Sequence, residues 1–495
     1  MQINNVQNIV YIYASQAVKL LSGLCILYFL TQNLSIESFG SFSLIKSALG
    51  VLGILVHLGI DNVITRYIPE MNSKGERNHS FKLMIEALKY RVISLLLVCT
   101  VVIFNIELIV NKFQLTKLNI SYILCLLILT KLNTFFGSSF HTSVFKILVE
   151  TKIQFFYDVV KLFGFVYLSI DNDISQIIIL WILLESIILL AFFRNFIIFF
   201  KEELKTITKT TLQHHYKLRI IKYAKSQTIA VLLFIMVDVA VDNLMISYYY
   251  SNKEVALYSF SLGIVSYLSF INPSFILKNY LTSIFSKEFI GKINEEILNK
   301  IRALFKFSIL VSIPFFTILA LNVNEILMII FNEKYMPAYQ VIITGLFFYF
   351  FKNMTFTFSP LIDVFEKNKL FLLAGIFSLF NFILNLFLIP KFGIQGAIFG
   401  TGITWVIIFL IYLKGFYDFF KTFLFFPFTS LLYGIIFSLI FYYTNDKLID
   451  IKVDNLISLG LKIISQLIIM FLLMYYLKII NRDDLSFLPN SLLKN

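Results

Sequence analysis

The chain has few charged residues for its length. Of its 495 residues, 14% are Asp, Glu, Lys or Arg, whereas 58% are hydrophobic and 17% are aromatic. A soluble protein of this size needs a larger charged fraction at its surface. The apolar residues also form continuous runs, without the alternation that a membrane β-barrel requires. These absences exclude a soluble protein and a barrel, and they predict an all-α polytopic membrane protein.

Motifs of enzyme and metal sites are lacking as well. The three cysteines stand singly inside apolar runs, and the five histidines never recur at metal-ligand spacing. The sequence contains no Walker loop, dinucleotide-binding glycine motif or nucleophile elbow. We therefore expect a transporter without enzymatic activity and without a metal or cofactor, apart from a coupling ion.

Apolar runs of about 18 to 20 residues, each long enough to cross a ~30 Å hydrocarbon layer, recur about fourteen times. They include runs over 40–62, 226–246 and 423–443. The net charge is +13, and most of the basic residues fall in alternate connections. That asymmetry indicates cytoplasmic loops, not nucleic-acid binding, and it predicts that both termini are cytoplasmic.

The sequence divides into two halves joined by a basic segment near its middle. The segment opening the second run (Phe39 to Leu44) is similar to the one opening the eighth (Val255 to Phe260), which indicates a parallel repeat. We predict two six-helix lobes and two further C-terminal helices. The predicted units are an N-terminal lobe (1–200), a cytoplasmic amphipathic linker (201–225), a C-terminal lobe (226–415), and the last two helices with a cytoplasmic tail (416–495).

A transmembrane helical hairpin is predicted between Leu370 and Leu413. Two apolar runs are joined by a turn with Pro390 and Gly393, where a helix cannot easily continue. Asn381 and Asn385 lie one turn apart in the first run, so one face of that helix carries amides. We predict that these two asparagines line a cavity.

Lysines lie inside several predicted spans, where a charge is costly and by default marks a transport pathway. Lys19 shares a helix face with Ser15, and Lys46 shares one with Ser43 and His57. Three further intramembrane lysines lie in other spans: Lys131, Lys161 and Lys352. The five lysines are predicted substrate-binding residues, and Ser15, Ser43 and His57 are predicted to line the cavity. The alternative is that each lysine extends to a headgroup at the membrane surface.

Two carboxylates stand one helical turn apart in the seventh run, at Asp238 and Asp242. Two such groups in a medium of low dielectric constant cannot both be ionised without a large cost, so one should hold a proton, a cation or a lysine. We predict an ion-coupling role for both, with H⁺ or Na⁺ as the coupling ion. Asp242 could instead be solvated near the outer interface.

Several motifs resemble the polysaccharide flippases of the multidrug/oligosaccharidyl-lipid/polysaccharide exporter superfamily. These motifs are LSIESFGSFSL and LGIDNVITRYIPE near the N-terminus, DVAVDNLMISYYYSNKEVALY after residue 237, and IPKFGIQGA at the hairpin turn. The resemblance implies a MATE-like fold and adds Arg66, at a matching position, to the predicted substrate-binding residues. Asn332 stands where the family motif has glycine, and this difference does not affect the predicted fold.

The resemblance implies a carrier that moves undecaprenyl-diphosphate-linked oligosaccharides to the outer leaflet of the cytoplasmic membrane, for O-antigen, capsule or exopolysaccharide synthesis. Its expected partners are membrane lipids and the lipid-linked glycan. We expect a monomer that can interact with polysaccharide assembly proteins, and we expect no nucleic-acid partner. Two alternatives remain: an ion-coupled drug or cation antiporter of the same fold, and a membrane-embedded polysaccharide polymerase or ligase. The first would favour an acidic cavity, and the second would need a large outer loop.

The predicted orientation can be tested by labelling single cysteines in a background without the three native ones. A cysteine replacing Lys209 should react with a membrane-impermeant maleimide only from the cytoplasmic side. A cysteine replacing Asn172 should react only from the outer side. The reverse pattern would contradict the orientation.

Overall fold

The computed structural model describes residues 5–204 except 114, 145 and 172, residues 214–276 except 268, 270 and 271, residue 282, residues 295–417 except 332, and residues 455–476. These residues form helices and no β-strand. The prediction of an all-α protein is confirmed for this part of the chain. Lys209, Asn172 and the predicted span over 423–443 lie outside the described residues.

The first group of helices, which we call the N-terminal bundle, is α1 (Asn5–Asn33), α2 (Ile36–His57), α3 (Ile60–Ser73), α4 (Arg77–Phe104), α5 (Ile106–Phe113), α6 (Lys117–Thr134), α7 (Ile147–Ser169) and α8 (Ile174–Leu204). Within it, α1 packs on α7 and α6 packs on α8. Ser35 and Thr116 cap α2 and α6, because each side chain accepts a hydrogen bond from the backbone NH three residues later.

The second group, which we call the C-terminal bundle, is α9 (His214–Phe234), α10 (Val239–Tyr249), α11 (Asn252–Tyr267), α12 (Glu295–Ile329), α13 (Tyr339–Val364) and α14 (Asn368–Gly415). A last helix, α15 (Leu456–Tyr476), packs on α12. Nine helices of the described residues are long and apolar enough to cross a membrane, with α14 counted once. A total of fourteen spans therefore stays a prediction.

The predicted hairpin is confirmed within α14. Gly393 has φ 58° and ψ −137°, which interrupts the helix, and the chain reverses there. Thr401 Oγ1 donates a hydrogen bond to Asn381 Oδ1 at 3.2 Å, although the two residues are 20 positions apart. A straight helix would separate them by about 30 Å. The two arms, 368–392 and 394–415, are therefore antiparallel neighbours.

The predicted continuous span over 40–62 is wrong at its C-terminal end. The helix ends at His57, because Leu58 and Gly59 both adopt left-handed backbone angles, with φ of 43° and 66°. Thr228 Oγ1 on α9 donates to the Leu58 carbonyl at 2.6 Å and satisfies an acceptor that the helix end leaves free. The residues after the break form α3, which runs in a new direction.

The predicted span over 226–246 is also interrupted. Residues Ile235–Val237 form a 3₁₀ turn, and Asp238 is extended, with φ −85° and ψ 139°. The Asp238 side chain caps α10 by accepting a hydrogen bond from Ala240 N at 2.8 Å. Asp238 and Asp242 are therefore not one turn apart on a single helix, and their carboxylates have different surroundings.

The two bundles meet at both ends of the molecule. At what we call the basic end, which carries Arg66 and Arg219, α3 contacts α9 and the α13–α14 connection. At the opposite end, Gln32 Nε2 donates to the Ile330 carbonyl at 2.9 Å, and Lys334 Nζ donates to the Leu34 carbonyl at 3.0 Å. The two bundles are thus in contact at both ends of the space between them.

The opposite end is tightest at Gly40, where α2 meets the start of α11. A Cβ atom on Gly40 would lie 1.9 Å from the carbonyl oxygen of Asn252, which is impossible without moving one bundle. We therefore expect Gly40→Ala to open this end. A cysteine replacing Ser43 should then react several-fold faster with an impermeant maleimide added from that side.

Gly460→Ala is the matched control, since a Cβ atom there meets nothing within 4 Å among the described residues. Equal labelling rates in the Gly40→Ala and Gly460→Ala proteins would show that Gly40 does not hold this end closed.

Candidate functional site

A cavity of about 450 Å³ lies between the two bundles. The N-terminal bundle contributes residues of α1, α2, α7 and α8, and the C-terminal bundle contributes residues of α10, α11 and α13. We call it the central cavity. Its charged residues are Lys46, Lys161, Lys352 and Asp238. Ser43 also lies in its lining.

Two of the three lysines of the central cavity lie against aromatic rings. Lys161 Nζ lies 4.9 Å from the ring centre of Trp181 and 5.3 Å from that of Phe165. Lys352 Nζ lies 4.4 Å from the ring centre of Tyr349 and 5.4 Å from that of Trp405. Cation–π contacts of this kind stabilise a lysine by about 0.5–2 kcal/mol without neutralising it.

Lys46, unlike the other two, is an exposed residue near the middle of α2. Since it lines the central cavity, its exposure includes the space between the bundles. Within the described part of the chain, none of these three lysines forms an ion pair with a carboxylate. The central cavity therefore holds three cationic side chains and one carboxylate, an arrangement suited to an anionic group.

A second space, of about 350 Å³, is lined by residues of the N-terminal bundle and by Ile276, and is called the N-terminal cavity. Lys19 and Ser15 line it together with Glu150 and Glu185. Lys131 is not among the lining residues of either cavity, and its Cε atom would be 2.6 Å from a Cβ placed on Gly53. The structure thus brings three of the five predicted lysines into one space.

Arg66 lies outside both cavities, in an ion-pair network at the basic end. Arg66 Nη1 donates to Glu70 Oε2 at 2.7 Å. Arg219 on α9 bridges the bundles, donating to Glu70 Oε1 at 2.9 Å and to Glu366 Oε1 at 2.6 Å. Tyr67 OH also donates to Glu366, at 3.1 Å. This network, which we call the basic-end latch, joins α3 to the C-terminal bundle.

His57 is likewise absent from the lining of both cavities. Gly59 N donates to His57 Nδ1, so Nε2 carries the proton and donates to Asp61 Oδ2 at 2.9 Å. Arg91 Nη2 and Ser139 Oγ each lie 2.6 Å from an Asp61 oxygen. The chain breaks directly after His57, so Gly59 N can reach the His57 ring. The resulting cluster stabilises the junction of α2, α3 and α4.

Asp242 is completely buried in the C-terminal bundle. Its Oδ2 accepts hydrogen bonds from Tyr258 OH and Thr401 Oγ1, both at 2.6 Å. Its Oδ1 accepts from Asn385 Nδ2 at 2.7 Å and from Asn381 Nδ2 at 3.4 Å. The predicted asparagines therefore surround a carboxylate instead of lining the central cavity, and this group is called the Asp242 cluster.

Sequence reasoning missed several residues of these sites: Arg91, Glu70, Arg219, Glu366, Tyr258 and Thr401. Each has a partner at least 15 positions away in the chain, across a helix junction or a bundle interface. No local spacing could have paired them. Arg91 directly precedes an apolar run that begins at Val92, and this position was the one usable signal in the sequence. In the structure Arg91 is fully buried.

The basic-end latch should weaken as the pH falls. Burial alone would raise the pKa of Glu70, but the hydrogen bond from Lys74 and the charges of Arg66 and Arg219 outweigh it and hold that pKa below its ordinary value. The contribution of Glu70 is complete above the ordinary carboxyl pKa and is lost as the pH falls through the lowered one. Glu70→Gln should have the same effect as low pH. It should raise the maleimide labelling rate of a cysteine replacing Ser43 from the basic end by roughly tenfold, because the charge-assisted bonds that it weakens contribute about 1.5–3 kcal/mol.

Glu107→Gln is the control, because Glu107 is a solvent-exposed carboxylate paired with Lys117 at 3.6 Å. If Glu70→Gln and Glu107→Gln label at the same rate, the latch does not hold the basic end closed.

Several solved structures are similar in fold to this protein. The structure described as "Lipid II flippase MurJ, inward closed conformation" matches with a TM-score of 0.63 and 16% identity, over 96% of this chain and 100% of that chain. An outward-facing multidrug resistance MATE family transporter of the MOP superfamily matches with a TM-score of 0.56 and 13% identity, over 89% of this chain and 99% of that chain. At these identities the likeness is one of fold.

Sequence comparison identifies the family. One relative, "Uncharacterized membrane protein MJ1068" of Methanocaldococcus jannaschii, is 33% identical over 113 residues, which is 21% of this chain and 22% of that protein. The chain therefore covers about a fifth of the length of this relative. The family described as "Polysaccharide biosynthesis protein" matches residues 5–277. Since that match covers more than half of its length, the chain belongs to the polysaccharide biosynthesis protein family, with the helical fold of MurJ and the MATE transporters.

Proposed function

We propose that this protein is a flippase that moves polyprenyl-diphosphate-linked oligosaccharides across the cytoplasmic membrane by alternating access. The observation that carries the proposal is the grouping of Lys46, Lys161 and Lys352 in one cavity between two bundles. The family and the fold of a lipid II flippase support a lipid-linked substrate. The proposal has three further parts. The lipid carrier is undecaprenyl, the glycan is exported to the outer leaflet, and it is used for O-antigen, capsule or exopolysaccharide synthesis.

The charge of the central cavity favours an anion as cargo. Moving an unpaired diphosphate into hydrocarbon would cost tens of kcal/mol, whereas lysine ammonium groups can replace its hydration. Three lysines face one carboxylate there, Asp238. A drug or cation antiporter would need the opposite balance. A polymerase or ligase would need a large outer loop for catalytic groups, and the connections α7–α8 and α10–α11 are only a few residues long.

The basic end is proposed to face the cytoplasm, since basic residues concentrate in the loops on that side. Both termini would then be cytoplasmic. A membrane potential that is negative inside would assist anion export by roughly 2.3 kcal/mol per charge per 100 mV. We expect the protein to act as a monomer beside polysaccharide assembly proteins, with the polyprenyl tail remaining in the lipid.

Ion coupling is proposed to reside in the Asp242 cluster instead of at Asp238. Asp242 is buried among neutral hydrogen-bond donors, whereas Asp238 lines the central cavity and caps α10. Asn385 Oδ1 is a buried acceptor to which no described residue donates a hydrogen bond. A carboxylate beside an unsatisfied amide oxygen suits Na⁺ or a proton, so these residues fit a coupling ion.

The cavity hypothesis predicts that Lys46→Ala, Lys161→Ala and Lys352→Ala each slow flipping of the lipid-linked glycan in proteoliposomes by at least tenfold. Each change removes a cation from the diphosphate site, and charge-assisted bonds contribute about 1.5–3 kcal/mol. Lys117→Ala, at a solvent-exposed lysine, is the matched control. Unchanged rates in all three cavity variants, with normal membrane insertion, would remove the lysines from the site.

The coupling hypothesis predicts that Asp242→Asn makes flipping independent of an imposed H⁺ or Na⁺ gradient, because a neutral amide cannot bind either ion as a carboxylate does. Asp238→Asn, which retains a side-chain oxygen for the cap, should keep the dependence. The measurement is the flipping rate with and without each gradient. Retained dependence in Asp242→Asn would contradict the assignment.

A further inference from the structure

The N-terminal cavity adjoins the central cavity along three shared helices. Going from the N-terminal cavity to the central cavity, the lining passes from Lys19 to Gly23 on α1, from Tyr157 to Lys161 on α7, and from Glu185 to Trp181 on α8. Each step is one helical turn, so the two spaces lie end to end along the bundle. The N-terminal cavity is the one nearer the basic end, where α1 begins and α6 ends.

Two buried acceptors of the N-terminal cavity receive no hydrogen bond from the part of the chain that the structure describes. Asn133 is 8% exposed, and no described residue donates to its Oδ1. Its orientation is fixed, since Nδ2 donates to the Glu185 carbonyl at 2.9 Å and to Glu185 Oε2 at 2.6 Å. Gln16 Oε1 is buried and lacks a donor in the same way. A buried acceptor left unpaired costs about 1–3 kcal/mol, so both oxygens favour a ligand with hydrogen-bond donors.

Other groups lining this cavity also accept hydrogen bonds. The Thr130 and Thr134 hydroxyls donate to carbonyls of their own helix, which leaves oxygen lone pairs available. The Glu150 carboxylate accepts a long bond of 3.4 Å from Thr142. The lining also holds one cation, Lys19, against the two carboxylates of Glu150 and Glu185. A phosphate offers only acceptors and negative charge, so it cannot donate to the unpaired oxygens. Sugar hydroxyl and amide groups, which supply donors, match this lining.

Two aromatic residues, Trp181 and Tyr157, lie where the two cavities meet and contact residues of both. Trp181 Nε1 donates to Glu185 Oε1 at 3.0 Å, while Lys161 Nζ lies 4.9 Å from the centre of the Trp181 ring. Tyr157 OH donates to the same carboxylate oxygen. An anion at Lys161 would therefore lie within about one helical turn of the N-terminal cavity. A sugar attached to a diphosphate at Lys161 would be able to reach that cavity.

We propose that the N-terminal cavity is a glycan subsite, which binds the sugar nearest the diphosphate through its hydroxyl and amide groups. This inference rests on the proposed function, because the diphosphate in the central cavity determines where the sugar lies. The volume of about 350 Å³ is at the small end of the ~300–1,000 Å³ range of ligand pockets, which suits a short part of the glycan.

The test compares two probes on the purified full chain. Farnesyl diphosphate carries the diphosphate without sugar, and the native lipid-linked glycan is isolated from source cells lacking this protein. Gln16→Met and Glu150→Gln are close in shape to the native side chains, and the double variant should bind the glycan probe about tenfold more weakly, with farnesyl diphosphate affinity unchanged. Lys161→Ala should weaken binding of both probes. Glu107→Gln, at an exposed carboxylate, should change neither.

The outcomes separate the subsite from the proposed function. If the double variant binds the glycan probe as the native protein does, or loses affinity for both probes equally, the glycan subsite is overturned while the cationic site stands. If the native protein binds neither probe, the proposed function fails and the subsite fails with it. Thermal unfolding of each variant in detergent identifies a loss caused by misfolding, and the single Glu150→Gln change then decides the matter in the same comparison.

Discussion

The arrangement of the two bundles depends on holding lysine side chains inside a membrane. A lysine in the hydrocarbon region is costly unless water, a counter-ion or an aromatic face replaces its hydration. Here Lys161 and Lys352 lie over aromatic rings, and Lys46 is exposed on the wall of the central cavity. Aromatic faces stabilise the ammonium groups without neutralising them, so the positive charge stays available to an anionic headgroup. The two bundles must therefore enclose a polar space and must also be able to open it.

The two ends that close this space use different chemistry. At the basic end, Arg219 bridges carboxylates of both bundles, and such ion pairs respond to pH and to competing anions. At the opposite end, Gly40 lets the backbone of α2 contact Asn252 directly, which is a packing contact. Helix breaks at Gly59 and Asp238 lie beside the interface between the bundles, where they can accommodate a change in helix direction. The proposed alternating access would need two closures that open separately, and the contacts at the two ends differ in their chemistry.

The sequence was sufficient for features set by local chemistry. Run length and the Pro390–Gly393 turn predicted the hairpin. The cost of charge in lipid pointed to five lysines, of which Lys46, Lys161 and Lys352 line the central cavity, and their binding role stays a prediction. Prediction failed where partners are distant or backbone angles are unusual. His57 ends α2, and its ring is bound by Gly59 N and Asp61, which follow the break at Leu58 and Gly59. The capping role of Asp238 separates it from Asp242. A regular helical periodicity cannot foresee either break, because each is stabilised by contacts formed only in the folded bundle.

The most direct test of the central claim is a cryo-electron microscopy structure of the protein in lipid nanodiscs with the native lipid-linked glycan bound. The account predicts density for the diphosphate in the central cavity, with phosphate oxygens within about 4 Å of the ammonium groups of Lys46, Lys161 or Lys352. Diphosphate density at the lipid-facing surface, with the three lysines contacting only protein and water, would contradict it.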